Sequence, residues 1–286
     1  MKKKVLFFSP TFYELPLNEN IKKKYDNLSE VAHVTVLAFS NQKKIYTESE
    51  TTFYLNKKNK SRIFNYLKIF FVSYFQIPKL ISQYEIDIVI FQDPVTSFLG
   101  VYKIKKKYKD VKIVIESHGD FINTLELEKN LTFPNLYKNL FFRMASYTIN
   151  CADMLRAVSS STEEQALSFN QSKRVVRFPA WIDFEIFSNI EPLRHNEGKF
   201  KILFIGSVTD RKKPHMIIDA LPELISDQVE LNIVGPTPNQ NYLESLKEKI
   251  KSKNVEDRVL IHGIKNRDEV KKFYSKSNLM ILPSVS

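Results

Sequence analysis

The sequence predicts an α/β protein made of two consecutive units, each a parallel β-sheet covered by helices on both faces. Short runs of β-branched and aromatic residues alternate with longer segments of helical periodicity along the chain. Runs such as residues 86–91 are almost continuously apolar, which is typical of parallel strands buried on both faces. The alternation stops in a polar stretch at 188–198 and then restarts, which indicates a linker between units at 1–187 and 199–286.

Strands and helices are expected in strict alternation in both units. In the first unit, strands are expected at 4–8, 33–39, 87–92, 112–116, 154–158 and 174–178, and helices at 19–28, 62–83, 96–108, 134–149 and 160–168. In the second unit, strands are expected at 201–205, 230–234, 258–261 and 279–282, with helices from Pro214 onwards, at 242–252 and at 267–275. This order predicts two Rossmann-like domains in series.

The sequence ends four residues after the last predicted strand. A parallel strand normally has a crossover helix packed on it. The second unit is therefore expected to be incomplete, with one face of its sheet partly bare and an apolar patch exposed.

Composition narrows the class of protein. Apolar residues make up 43% and charged residues 26% of the 286, which is ordinary for a soluble globular protein. A single cysteine, Cys151, excludes an internal disulfide and fits a reducing, cytoplasmic location. Neither a signal peptide nor a membrane-spanning segment is predicted. The net charge of +11 favours a phosphate-bearing partner, which leaves a nucleotide, a lipid head group and nucleic acid open.

Residues 201–215 carry the strongest functional signal. A predicted strand ends at Gly206, a basic loop containing Arg211 and Lys212 follows, and Pro214 suits the first turn of a helix. Loops between a strand and a helix start commonly bind anions, and arginine offers phosphate a planar, two-pronged donor. The segment therefore predicts a phosphate site, although a solvated basic loop would have the same composition.

Two further predicted strands also end in glycine turns. Gly235 and Pro236 follow the second strand of this unit, and His262 and Gly263 end the third. Because the carboxyl ends of parallel strands meet at one edge of the sheet, these turns are expected to lie beside the basic loop. Each turn alone is weak evidence, and a histidine in such a place is more often structural than a ligand.

The first unit has a polar cluster at the end of its fourth predicted strand. Glu116, His118 and Asp120 follow one another at alternate positions there. One imidazole with two carboxylates suits proton transfer, binding of sugar hydroxyls or metal binding, and it is equally compatible with a hydrogen-bonded loop histidine.

The sequence lacks the motifs of several classes of ligand-binding site. The glycines never occur two residues apart, which excludes the dinucleotide fingerprint, and no phosphate loop of the GxxxxGK[ST] type is present. No two aspartates are separated by one residue, and one cysteine with scattered histidines does not suit zinc. Neither a metal nor a cofactor is therefore expected.

The predicted helix at 62–83 is rich in aromatic residues and flanked by cations. A crossover helix must be apolar to cover its sheet, so core packing is favoured. Part of its surface could still lie on an acidic membrane.

These segments together resemble the retaining glycosyltransferases of family 4, which have the GT-B fold. The resemblance is carried by ordered motifs over almost the whole chain: Ser117 to Gly119, Val158 and Ser159, residues 178–187, Phe204, Gly206, Ser207, Arg211, Lys212, Ala220, Leu221, residues 231–236, Val259, Ile261, Gly263, Tyr274 and residues 279–284.

The resemblance implies two Rossmann-like domains facing across a cleft, and transfer of a sugar from a nucleotide diphosphate donor with retention, without a metal. It implies an acceptor that is a growing cell-surface glycan or its lipid carrier, and no role for nucleic acid is expected. The cationic excess and the aromatic helical segment at 62–75 add an anionic inner membrane surface as a possible partner. The resemblance assigns His118 as catalytic, the donor diphosphate to Gly206, Ser207, Arg211 and Lys212, the nucleotide to Gly235, Pro236, His262, Gly263 and Ile264, and the acceptor side to Ser9, Thr11 and Asp120.

The chain departs from the family pattern in several places. Ser207 stands where many members have arginine, and Arg211 is expected to substitute for it. Residues 180–181 replace an Asn-Gly pair, and residues 9–12 replace a glycine-rich loop. The family's E-x7-E segment, which holds the donor's ribose and sugar, would begin after Ser284, so this chain is expected to be truncated and inactive by itself. A sugar-nucleotide epimerase and a non-catalytic nucleotide or glycan binder remain as alternatives.

Overall fold

The computed structural model describes residues 2–59, 61–117, 119, 134–190, 198–224 and 228–284. It divides into two compact units, Met1–Ile182 and Asp183–Ser286. Both units are α/β, as the sequence predicts.

The first unit is built on one eight-stranded sheet with the strand order β3-β4-β2-β1-β5-β6-β7-β8. Its strands are β1 (Lys3–Phe12), β2 (Ala32–Ser40), β3 (Lys44–Glu48), β4 (Thr51–Lys57), β5 (Ile88–Phe91), β6 (Lys112–Ser117), β7 (Met154–Ala157) and β8 (Val175–Arg177). Its helices are α1 (Glu19–Val31), α2 (Arg62–Tyr84), α3 (Phe98–Lys107), α4 (Pro134–Cys151) and α5 (Ser160–Phe169).

The core of the first unit lies on both faces of this sheet, because its central strands are apolar throughout. Leu6 and Phe8 of β1 belong to the cluster beneath α2 and α3, whereas Phe7 belongs to the cluster that includes Tyr25 of α1. Alternate side chains of a strand point to opposite faces, so a continuous apolar run fills both layers.

The hairpin formed by β3 and β4 was not expected from the sequence. These two strands pair antiparallel, and β4 continues the sheet parallel to β2. The connecting turn has Ser49 at φ 52°, a conformation that favours glycine or asparagine. Because residues 49–50 are Ser-Glu, the usual sequence signal for such a turn is absent.

A buried ion pair joins two neighbouring strands of the first sheet. Arg156 on β7 donates from Nη1 to Oε1 of Glu116 on β6 over 2.8 Å, and only 9% and 5% of these residues is exposed. Arg156 also donates from Nη2 to the carbonyl of Pro179, and its guanidinium lies 4.0 Å from the centre of the Phe178 ring. These contacts attach the segment after β8 to strands β6 and β7.

The second unit has a four-stranded parallel sheet with the order β11-β10-β9-β12. Its elements in chain order are α6 (Glu185–Ser188), β9 (Phe200–Ile205), a 3-10 turn (Asp210–Lys212), α7 (Pro214–Ala220), a second 3-10 turn (Leu221–Glu223), β10 (Val229–Val234), α8 (Gln240–Ser252), β11 (Val259–Gly263), α9 (Arg267–Ser275) and β12 (Leu279–Met280). Phe187 of α6 packs edge-on against Tyr274 of α9, which places the segment before β9 in this unit.

One face of the second sheet carries an apolar groove of about 390 Å³ between α7, β9 and β12. Phe200, Met216 and Leu279 line it and are each between 44% and 50% exposed. The partly bare apolar face expected from the sequence is therefore present among the described residues.

We predict that Arg156→Ala lowers the free energy of unfolding of the first unit by about 3–5 kcal/mol, because it leaves the Glu116 carboxylate buried without its partner. Urea denaturation followed by the fluorescence of Trp181, the only tryptophan, measures this change. Arg177→Ala is the control, since Arg177 pairs with Glu163 at the surface and its loss should cost at most about 1 kcal/mol. Equal effects of the two substitutions would contradict the prediction.

Candidate functional site

The glycine turns that follow β9, β10 and β11 contact one another at the carboxyl edge of the second sheet. The Gly206 N–H donates to the carbonyl of Val234 over 3.0 Å, and the Gly235 N–H donates to the carbonyl of Gly263 over 2.8 Å. The Val208 N–H donates to the carbonyl of Pro236 over 2.8 Å. The parallel register brings the three strand ends together, so the turns predicted from sequence form one continuous backbone surface.

Gly235 is required by this packing. Its φ is +142°, and a Cβ placed on it would lie 2.0 Å from the carbonyl oxygen of Gly206. No side chain fits there, because the obstructing atom belongs to the backbone of the neighbouring turn. The two turns can approach each other this closely only because residue 235 is glycine.

The basic loop after β9 folds into a tight turn beside these glycines. The N–H groups of Lys212 and Lys213 both donate to the carbonyl of Thr209, and Lys213 has a left-handed φ of 48°. Arg211 is exposed and Lys212 is half-buried. Within the described part of the chain, neither side chain is paired with a carboxylate. Two adjacent cations are therefore presented at the carboxyl edge of the sheet, which suits a phosphate group.

Polar contacts fix α7 against α8, and they thereby fix the end of the basic loop. Nδ1 of His215 and the hydroxyl of Tyr242 are 2.8 Å apart, and Lys249 donates to both carboxylate oxygens of Asp219. Burial, together with the nearby charge of Asp210, raises the pKa of Tyr242 to about 12. Tyr242 therefore stays neutral and serves as a fixed polar contact for His215.

His262 is held by a chain of side chains within the second unit. Its Nε2 donates to Oδ1 of Asn232 over 2.6 Å, and the Asn232 amide donates to Glu230 over 2.9 Å. The imidazole also packs against the ring of Phe273, with centroids 4.6 Å apart. Burial and, secondly, the charge of Lys265 lower the pKa of His262. These contacts fix the turn, and the predicted contact of His262 with nucleotide remains a prediction, as does that of Ile264, which is 76% exposed.

The acceptor-side prediction rests in part on residues of β1. The Ser9 hydroxyl accepts from the Thr11 N–H over 3.0 Å and donates to the Thr11 hydroxyl over 2.5 Å. Ser9 is buried and Thr11 is exposed, and the pair lies in β1 where its register with β2 shifts between Phe8 and Phe12. The proposed catalytic His118, and Asp120, lie outside the described residues.

Sequence reasoning missed Arg156 and Lys24 as parts of the polar cluster around Glu116. Glu116 forms a buried ion pair with Arg156. Its carboxylate is therefore not available for the proton transfer that the sequence left open. Lys24 of α1 is partly buried, and this burial lowers its pKa against the opposing attraction of Glu116. An arginine inside the short apolar strand β7 was the available signal, because a charge there needs a buried partner.

Two features are absent from the part of the chain that the structure describes. No group of three or more His, Cys, Asp or Glu side chains is placed to hold a metal ion there. Among the same residues, no helix is both long and apolar enough to cross a membrane.

Two family models match the chain in succession. The model described as "Glycosyltransferase Family 4" matches residues 29–186, and the model described as "Glycosyl transferases group 1" matches residues 185–286. The first match alone spans more than half of the 286 residues.

One curated relative is an uncharacterized glycosyltransferase of Methanocaldococcus jannaschii, 32% identical over 85 residues. The alignment covers 29% of this chain and 21% of that protein, so the matched part spans about a fifth of the relative's length.

Solved structures similar to the chain include glycosyltransferases. Sucrose-phosphate synthase from Thermosynechococcus elongatus has a TM-score of 0.73 at 14% identity and covers 99% of this chain and 76% of its own. HepE of Anabaena in complex with UDP has a TM-score of 0.64 at 15% identity, covering 99% and 74%. The lipopolysaccharide outer core galactosyltransferase WaaB has a TM-score of 0.64 at 19% identity, covering 98% and 74%. At these identities the likeness shows the fold alone, and it confirms the predicted α/β fold class.

We predict that Gly235→Ala destabilises the second unit by about 2–4 kcal/mol, because backbone strain adds to a clash with a carbonyl that cannot move away cheaply. Hydrogen–deuterium exchange of β9 and β10 measures the loss. Gly263→Ala is the matched control, since Gly263 has φ +68° but nothing within 4 Å of an added Cβ. The control should cost only about 1 kcal/mol. A similar cost at both positions would show that the clash is unimportant.

We also predict that His262 makes the second unit less stable in weak acid. Since its pKa is lowered in the folded state, the unfolded chain binds the proton more readily, and stability falls as the pH drops below the usual histidine range. Hydrogen–deuterium exchange of β10 and β11 between about pH 7.5 and pH 5 tests this. His262→Gln should show a flatter dependence than the parent, and identical slopes would contradict the assignment.

Proposed function

The chain belongs to glycosyltransferase family 4, and from this premise we propose that it transfers a sugar from a nucleotide diphosphate donor to a glycan or lipid-linked acceptor with retention of configuration. The second unit would bind the donor and the first unit the acceptor. The observation that carries this proposal is the placement of Arg211 and Lys212 beside three mutually hydrogen-bonded glycine turns.

The cations suit the chemistry at the leaving group. When a glycosidic bond to a nucleotide diphosphate breaks, negative charge grows on the departing phosphate oxygens. Arg211 and Lys212 would stabilise that charge, with Gly206 and Ser207 allowing the diphosphate to approach the backbone closely. Because the loop is fixed by hydrogen bonds to Thr209 and Pro236, little reorganisation would be needed when the charge develops.

The neighbouring turns would contact the nucleotide. Gly235, Pro236, Gly263 and Ile264 lie at the same edge of the sheet, and His262 would position its turn through Asn232. The structural similarity to an Anabaena protein in complex with UDP supports a nucleoside diphosphate as the ligand class.

Fewer observations support the proposed acceptor-binding residues. By family resemblance, His118 would act beside the transferred sugar, and Ser9, Thr11 and Asp120 would contact the acceptor. The fold similarity to a lipopolysaccharide galactosyltransferase supports an acceptor in cell-surface glycan synthesis.

We predict that Arg211→Ala and Lys212→Ala each weaken binding of a nucleoside diphosphate by about 1.5–3 kcal/mol, because each removes a charge-assisted phosphate contact. This corresponds to a roughly 10- to 150-fold higher Kd. Isothermal titration calorimetry with UDP, GDP and ADP measures it. Lys251→Ala on the exposed face of α8 removes one positive charge away from the turn and should leave Kd unchanged. Unchanged affinity in both loop variants would remove the donor site from this proposal.

A further inference from the structure

Helix α2 exposes a continuous stripe of large apolar side chains. Phe64, Leu67, Phe71 and Phe75 are 63%, 48%, 57% and 64% exposed. Their spacing of three, four and four residues puts them on one side of the helix, over a length of about 16 Å. We call these four residues the α2 stripe.

Packing of the first unit does not require this stripe. The opposite side of α2 already covers the sheet through residues that are at most 9% exposed, namely Ile69, Val72, Ile77, Leu80 and Ile81. Within the stripe, the rings of Phe71 and Phe75 stack on each other, with centroids 6.3 Å apart. Several large apolar groups in one exposed row cost solvation free energy, and such rows usually mark a binding surface.

Cations border the stripe on both sides. Lys68 and Lys79 each follow a stripe phenylalanine by four residues, so they are its helical neighbours. On the other side, Lys103 of α3 lies 4.6 Å from the centre of the Tyr74 ring, and that ring contacts Phe75 at 4.9 Å. The 23 residues of α2 include no aspartate or glutamate.

A cationic groove lies next to the stripe, between α2 and the β3–β4 hairpin. It has a volume of about 730 Å³ and includes the exposed side chains of Lys43, Lys44 and Lys79. Its remaining lining is apolar or uncharged, and no carboxylate is part of it. We call it the lysine groove. Its floor is braced by a reciprocal amide pair between Asn56 and Gln76.

We propose that the α2 stripe and the lysine groove form one face that docks on an anionic phospholipid bilayer. The stripe would enter the boundary between headgroups and acyl chains, and the lysines would lie among the phosphates. A flat row of phenylalanine and leucine beside cations, without acidic residues, complements the anionic surface and apolar interior of such a bilayer. This inference rests on the proposed use of a lipid-linked or cell-surface acceptor.

Vesicle flotation of the full chain tests the proposal. The parent should float with phosphatidylcholine vesicles that contain 30% phosphatidylglycerol (about three in ten lipids) but not with phosphatidylcholine alone, and 0.5 M salt should weaken binding at least about tenfold. Phe71→Gln/Phe75→Gln should lose binding, because glutamine keeps helix propensity while removing the apolar rings. Lys43→Gln/Lys44→Gln/Lys79→Gln should lose binding to a similar extent, at least about tenfold.

Matched controls separate this face from general charge attraction. Lys247→Gln/Lys251→Gln/Lys253→Gln removes the same number of positive charges from the exposed surface of the second unit and should bind like the parent. Val31→Gln removes an apolar side chain that is 69% exposed at the end of α1 and should also bind like the parent. Circular dichroism of every variant verifies that it is folded.

A fluorescence experiment reports the depth of the stripe. Phe75→Trp in a Trp181→Phe background places the only tryptophan in the stripe, and brominated acyl chains should quench it on anionic vesicles. Flotation of the stripe variant equal to the parent, or no quenching, would overturn the proposal. Failure of the parent to float, together with its capture on an immobilised acidic protein through the same lysines, would also overturn it in favour of a protein partner. None of these outcomes changes donor binding, which tests the proposed transfer separately.

Discussion

The carbonyl of Gly206 occupies the space that a side chain on residue 235 would need, and the edge of the second sheet depends on this contact. Because residue 235 has no side chain, the two turns lie with their backbones in contact. This contact aligns the hydrogen bond between Val208 and Pro236 and fixes the start of the basic loop. Arg211 and Lys212 are consequently carried by a loop whose base cannot shift independently of its neighbours. A cation pair on such a base is suited to meet charge that appears only briefly during a reaction.

The first unit depends on a different kind of constraint, a charge pair placed inside a sheet. Glu116 and Arg156 neutralise each other at a point where each would be costly alone. The same arginine reaches the carbonyl of Pro179 and the ring of Phe178, so the pair also fixes the segment after β8. Burial of the carboxylate thus contributes to the shape of this edge rather than to proton transfer.

Helix α2 has one side packed on the sheet and one side exposed to solvent. Its inner side covers the sheet, and its outer side exposes phenylalanines between lysines. The sequence favoured core packing for this helix, and its inner side confirms that interpretation. Composition could not tell how much apolar surface would remain outside, because this 23-residue helix carries more large apolar side chains than its sheet-facing side can hold.

The sequence by itself determined the α/β class, the order of most strands and helices, the family resemblance and the three glycine turns, because period, turn residues and motif spacing are local properties. It missed the β3–β4 hairpin, whose Ser49 turn lacks a glycine signal. Only the tertiary structure decided that Arg156 pairs with Glu116, that His262 is hydrogen-bonded to Asn232, and which side of α2 is exposed to solvent. These partners are separated by many residues in the chain, and contact between them exists only after the strands have paired and the helices have packed on the sheet.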